Sequence, residues 1–344
     1  MDDRFLRACR REPTDATPVW LMRQAGRYMP EYRALREKHA LLEICKTPEL
    51  ALRVTLQPLR LGVDAAILFA DILLPLEAMG APFDFAQGEG PVIREPLRDA
   101  HDIARLRIAE PEDGLAYVLE SIRLVRRELG GRVPLIGFAG GPFTLASYLV
   151  EGGRSAHFVK TKRLMYEDAA AWAELMGKLA EVVRRYLRAQ VSAGAQAVQL
   201  FDSWVGALCP DDYRQYVQPF AAHVLRDVAT LGVPVIHFGT DTAGLIHLQK
   251  QAGGTVLGVD WRIALDDAWS RAGADVAIQG NLDPSVLLAP WDVIERAAER
   301  VLSEAAGRAG HVFNLGHGVL PETPVESVER LVDFVHQRTE RPAP

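Results

Sequence analysis

An alternation running from one end of this chain to the other limits its fold more than any other feature. Short β-branched or apolar runs recur, each followed by a turn and a longer stretch of helical period. Run, helix and run make a βαβ unit, and successive units set their strands in parallel. The candidate strands are PVWLM (18–22), VDAAILF (63–69), VPLIGF (133–138), AVQLF (197–201), VPVIHF (233–238), TVLGV (255–259), VAIQG (276–280) and HVFNL (311–315). Helical stretches are clearest at 167–193, 211–231, 285–306 and 325–338, several opening on proline or acidic residues. Gly194, Gly232 and Gly310 stand just before the fourth, fifth and eighth runs, where a helix-ending glycine belongs. Residues 80–100, with QGEGPVIREP, read as an excursion after the second run, a small hairpin or loop.

Eight such units predict an α/β fold, a single-domain (β/α)8 TIM barrel over residues 1–344. A doubly wound open sheet fits less well. No run is followed by GxGxxG, and polar residues do not collect after only one or two runs. A barrel puts its chemistry just beyond the C-terminal ends of its strands. Those positions hold Arg23 and Arg27, Asp71, Tyr148, Asp202 and Ser203, Asp241, Asp260 and Arg262, Asn281 and Asp283, and His317.

Composition narrows the partners. The net charge of −6 argues against a nucleic-acid surface or an anionic membrane surface, so an anionic ligand would need a local cluster of arginines. Cys9, Cys45 and Cys209 are odd in number and far apart, which speaks against a disulfide framework and for a reducing, cytoplasmic setting. The opening MDDRFLRACRREP lacks the apolar stretch of a secretory signal. Residues 133–150 run uncharged for about a membrane-spanning length. Gly137, Gly140, Gly141 and Pro142 interrupt them, as a buried strand, a turn and a helix would. His237 and His247 have no second ligand at helical spacing, so no metal is expected.

Each candidate residue has a structural reading beside the functional one. Arg23, Arg27 and Arg33 could bind carboxylates through their planar forks or pair with Glu31 and Glu37. Gly26 would allow a ligand close to the backbone. Asp71, among apolar neighbours, is either a helix cap or an anion held in a barrel mouth. Tyr148 and Ser203 are each open to a core or turn role. His317 lies between Gly316 and Gly318, which exposes backbone and also suits a phosphate loop, though no nucleotide fingerprint accompanies it.

Four segments carry a resemblance: MRQAGRYMPEYR (22–33), FADILLPLEAMG (69–80), GFAGGPFTLASYLVEGG (137–153) and NLGHGV (314–319). Together they make the chain resemble the uroporphyrinogen decarboxylase family over essentially its whole length. The resemblance implies a single-domain barrel, a homodimer, and a small-molecule tetrapyrrole substrate in haem biosynthesis. Carbon dioxide would be removed from the four acetate arms of uroporphyrinogen III without metal, flavin or pyridoxal cofactor. Carried onto matching positions, it makes Arg23, Gln24, Ala25, Gly26 and Arg27 part of the substrate pocket. Asp71 becomes the central carboxylate facing the pyrrole N–H groups, with Arg23 beside it as a catalytic candidate. Tyr148, Ser203 and His317 become further contacts, and Phe138 and Phe201 pack against the macrocycle. Two departures are small: Gly140, Gly141 and Pro142 stand where GAP is common, and HFGTDTAG (237–244) is less glycine-rich than usual. Two other functions compete. A methyltransferase with a zinc-activated thiol needs late cysteines, and none follows Cys209. A non-catalytic tetrapyrrole carrier would keep the pocket without needing Asp71.

Overall fold

Strands of a parallel barrel are buried on both faces, so their sequences read as unbroken apolar runs. In the computed structural model, which describes residues 3–86 and 90–341, those runs become the barrel wall. The strands are β1 (Ala66–Ile67), β2 (Phe83–Ala86), β3 (Gly90–Ile93), β4 (Leu135–Gly140), β5 (Ala197–Phe201), β6 (Val235–Phe238), β7 (Val256–Gly258), β8 (Ala277–Leu282) and β9 (His311–Leu315). A parallel sheet runs in the order β1-β4-β5-β6-β7-β8-β9. Its registers include Gly140 opposite Phe201, Phe201 opposite Phe238 and Leu282 opposite Leu315.

The first run closes the circle, though not as a regular strand. Val19 bridges Phe313 in parallel, with Phe313 N–H donating to Pro18 O at 2.9 Å. On its other side, Asp64 N–H donates to Val19 O at 2.7 Å. Pro18 has no N–H, and the N–H of Val19 goes to the Asp64 carboxylate at 2.6 Å, so the regular ladder fails here. The chain therefore forms the expected α/β barrel, with seven ladder strands and one irregular stave.

The long helix Ala169–Ala193 starts where the Asp168 side chain accepts Ala171 N–H at 2.9 Å, and it ends at Gly194. Two expected helices are broken by proline. The 211–231 stretch divides into Pro210–Tyr216 and Gln218–Ala229, and 285–306 divides into a 3₁₀ turn at Pro284–Leu288 and the helix Trp291–Ala305. The last helix is Val325–Thr339. Gly310 is not a helix end, because that helix stops at Ala305. A Cβ at Gly310 would come within 2.8 Å of Arg11 Cγ. The uncharged 133–150 segment resolves into β4 and the helix Pro142–Glu151, and no helix among the described residues is long and apolar enough to cross a membrane.

Beneath the open end of the barrel, buried amides fill the interior. Trp20 Nε1 donates to Gln279 Oε1 at 3.0 Å, and Gln279 Nε2 donates to Gln199 Oε1 at 3.0 Å. These amides satisfy one another, whereas Asn314 Nδ2, also buried, has no partner among the described residues. The excursion after β1 is the antiparallel hairpin β2–β3, pairing Phe83 with Ile93, and its tip at 87–89 lies outside the described residues.

Candidate active site

A cavity of about 280 Å3 opens at the C-terminal ends of β1, β4, β5 and β6, under the hairpin. Its wall is largely aromatic. Phe138 and Phe201 meet edge-on with centroids 5.5 Å apart, and Phe201 and Phe238 do the same at 5.8 Å. Phe69, Phe85 and Pro91 extend the apolar surface toward the mouth. Such a wall suits the face of a flat, apolar ring system.

Set into that wall are Arg23, Asp71, Tyr148, Ser203 and His317. Arg23 adopts φ +60°, a left-handed conformation that costs a non-glycine residue energy and tends to occur where function demands it. Two bare glycines shape its surroundings. A Cβ on Gly26 would lie 2.8 Å from Arg23 O, and a Cβ on Gly318 would lie 2.3 Å from Arg23 Cδ. Solvent reaches the Arg23 side chain through the mouth, yet protein walls it elsewhere, and that crowding lowers its pKa.

Asp71 lines the cavity and makes a local turn bond, while the N-cap position of the helix that follows belongs to Leu73. One carboxylate oxygen, Oδ1, accepts Leu73 N–H at 2.8 Å, at the start of the short helix Leu74–Ala78. Its second oxygen has no protein donor among the described residues. Burial raises the carboxyl pKa above the ordinary value, against the opposing pull of the Leu73 N–H and the Arg23 charge. The site thus holds a carboxylate that gains from any N–H donor or cation placed in the cavity.

Tyr148, on the helix after β4, lies against Trp204 with centroids 4.0 Å apart. Burial, with Asp71 adding to it, pushes the Tyr148 phenol up to about 12, so it stays a neutral hydrogen-bonding group. Burial and the charges of Arg23, Arg262 and Arg154 hold His317 down at about 4, so at neutral pH it is uncharged. The glycines around His317 answer to packing: Gly318 leaves room for Arg23, and a Cβ on Gly316 would come within 2.5 Å of Trp261 N. No phosphate loop is needed to explain them.

Of the other sequence candidates, Ala25, Phe138 and Phe201 also line the cavity, while Gln24, Gly26 and Arg27 do not. Gln24 is buried behind it, donating to Ala65 O at 2.9 Å and accepting Leu21 N–H at 3.0 Å. Gly26 packs on the backbone of Arg23, not on a ligand surface. Arg27 is exposed beside the mouth, near enough to act on the charge of Arg23.

Strand-end residues on the far side of the barrel turn to loop construction. Asp260 accepts Asp241 N–H at 2.7 Å, Asn281 donates to Ile263 O at 2.7 Å, and Asp283 caps the turn at Ser285. Asp202 is fully buried, 3.6 Å from His237 Nε2. Among the described residues no group of three metal-ligating side chains converges. Sequence reasoning missed Phe238, Phe69, Phe85 and Pro91. Only Phe238 carried a visible signal, since it ends β6 as Phe201 ends β5.

The uroporphyrinogen decarboxylase family model matches residues 1–338. The uroporphyrinogen decarboxylase of Sorangium cellulosum (strain So ce56) is 70% identical over 336 residues, covering 98% of this chain and 96% of that protein. That of Carboxydothermus hydrogenoformans is 58% identical over 338 residues, covering 98% and 97%. Among solved structures, a methyltransferase from Methanosarcina mazei aligns with a TM-score of 0.80 over 97% of this chain and 98% of its own, at 22% identity, a likeness of fold alone.

Proposed function

This chain belongs to the uroporphyrinogen decarboxylase family, and from that premise we propose how its cavity performs the reaction. As a carboxy-lyase of tetrapyrrole biosynthesis, it removes the acetate carboxyl groups of uroporphyrinogen III as carbon dioxide, leaving coproporphyrinogen III. The macrocycle lies against the aromatic wall with its pyrrole N–H groups toward the free oxygen of Asp71. That oxygen, open to the cavity and without a protein donor among the described residues, is the observation that carries the reading.

The chemistry needs an electron sink, and the substrate supplies one. A proton added to the ring carbon beside nitrogen, next to the carbon bearing the acetate, turns the pyrrole into a conjugated iminium-like cation. The bond to the carboxylate then breaks, its electron pair flows into the ring, and carbon dioxide leaves. The exocyclic carbon next takes a proton while the ring carbon gives its own up, so one carboxylate and one proton become a methyl group and carbon dioxide. The mechanism calls for no added cofactor. Asp71 stabilises the cationic ring as a charge already in place. Arg23 neutralises the carboxylate in reaction, with Arg27 in support at the mouth. Tyr148, Ser203 and neutral His317 orient the substrate as hydrogen-bonding groups.

The whole chain works as one catalytic domain, as a cytoplasmic homodimer, with no nucleic-acid or membrane partner. The test is anaerobic incubation with uroporphyrinogen III. Stepwise release of carbon dioxide ending in coproporphyrinogen III is expected. Tight binding without carbon dioxide release would make the chain a carrier and overturn the reading.

A further inference from the structure

We propose that Arg154 is a further substrate-binding residue of this reaction, holding a propionate carboxylate of the macrocycle at the hairpin side of the cavity mouth. The inference rests on the tetrapyrrole reading above. Arg154 lies just beyond the helix Pro142–Glu151, in a segment fastened to the hairpin, where Ile93 N–H donates to Gly152 O at 2.9 Å. Its stem passes Gly90 closely enough that a Cβ there would lie 3.6 Å from Arg154 Cδ, and Pro91, the next residue, lines the cavity.

Three other arginines are already engaged. Arg262 pairs with Asp260, Arg94 with Asp84 at 2.6 Å, and Arg98 donates to Val150 O at 2.7 Å. Arg154 is exposed and, among the described residues, has no hydrogen-bonding or ionic partner. Its charge nevertheless reaches the cavity, where it acts on Arg23, Tyr148 and His317. Arg154 is exposed and does not itself line the cavity, while a Cβ on its neighbour Gly153 would lie 3.3 Å from the O of Pro91, which does. Arg154 stands at the rim, and the carboxylates that reach the rim are those not being lost. Over the full sequence of turnovers, the propionates are the arms that always remain.

Wild type, Arg154→Ala and Arg154→Lys are compared with uroporphyrinogen III as substrate and coproporphyrinogen III as product inhibitor. Wild-type turnover judges the tetrapyrrole reading, and the ratio of variant to wild type judges Arg154 separately. For Arg154→Ala, KM is expected to rise about fivefold, the upper end for an exposed ion pair, with a smaller change in kcat. The inhibition constant of coproporphyrinogen, which keeps every propionate, should rise by the same factor. Arg154→Lys should recover part of both, and Tm should not move. An unchanged KM overturns the proposal. A raised KM with an unchanged product inhibition constant also overturns it, because Arg154 would then hold an acetate.

Discussion

Asp64 enters strand β1 and Asp71 leaves it, so these two carboxylates sit at opposite ends of one stave of the barrel. At Asp64, 4% exposed, protein partners fill the site. Arg4 Nη1 donates to Oδ1 at 2.7 Å, Val19 N–H donates to Oδ2 at 2.6 Å, and His336 Nε2 lies 2.7 Å from Oδ2. The cluster ties the first helix, Arg4–Cys9, and the last, Val325–Thr339, to the irregular stave. Asp71 has a single backbone donor and opens on a cavity. A buried carboxylate is costly unless paired, so one end of the stave ties its aspartate into closing the barrel, while the other leaves an aspartate oxygen open to the cavity.

The largest expected effect breaks the closed end. Asp64→Ala leaves Arg4 and His336 without their shared anion and should cost about 3 kcal/mol, the scale of removing one partner from a buried pair. Thermal denaturation would show a Tm lower by several degrees, while kcat of the folded fraction stays near wild type. A Tm close to wild type would erase the difference between the two ends.

Next in size is a change at the open end that leaves folding alone. Gly318 has no left-handed backbone requirement, but an alanine Cβ there would lie 2.3 Å from Arg23 Cδ. Gly318→Ala should displace the Arg23 guanidinium and lower kcat/KM about tenfold, since small misplacements at a reacting centre are costly. An unchanged kcat/KM would mean that the position of Arg23 does not matter to turnover.

These two ends were unequally legible in the sequence. The staves were readable because burial on both faces leaves an apolar run whatever the tertiary detail. Arg23, Asp71, Tyr148, Ser203 and His317 were readable because a barrel gathers strand-end residues at one mouth. The irregular first stave was not, because its cause is the remote Asp64 carboxylate taking the Val19 N–H. Nor were Phe85 and Pro91, which reach the mouth only because the hairpin folds back over it. Pro219 and Pro290 did announce their helix breaks, and the periodicity around them masked the signal. Gln24 looked like a pocket residue by its place in RQAGR, yet it points inward to backbone.

The smallest effect sharpens the comparison on another stave. His311 starts β9 at the closed end and His317 follows it at the open end, and burial lowers both to about 4 from an ordinary 6.5. Both are neutral when folded, whereas the unfolded chain takes up their protons near pH 6.5. Stability should therefore fall as pH drops from about 6.5 toward about 4. Denaturant titrations across that window should show the slope reduced in both His311→Gln and His317→Gln, with turnover altered only in the second. A slope untouched by either substitution would contradict the assignment.

The central claim is that the charge of Asp71 serves the reaction and not the fold. Asp71→Asn keeps the size of the side chain and an oxygen for Leu73 N–H, and Asn makes a local turn bond of this kind as Asp does. The direct measurement is kcat for uroporphyrinogen III under anaerobic conditions, with Tm taken on the same preparation. The expected result is a fall in kcat of about a hundredfold or more, the scale of losing a charge set in place for the transition state, with Tm little changed. Near-normal turnover by a well-folded Asp71→Asn protein would contradict it and reduce Asp71 to a turn residue.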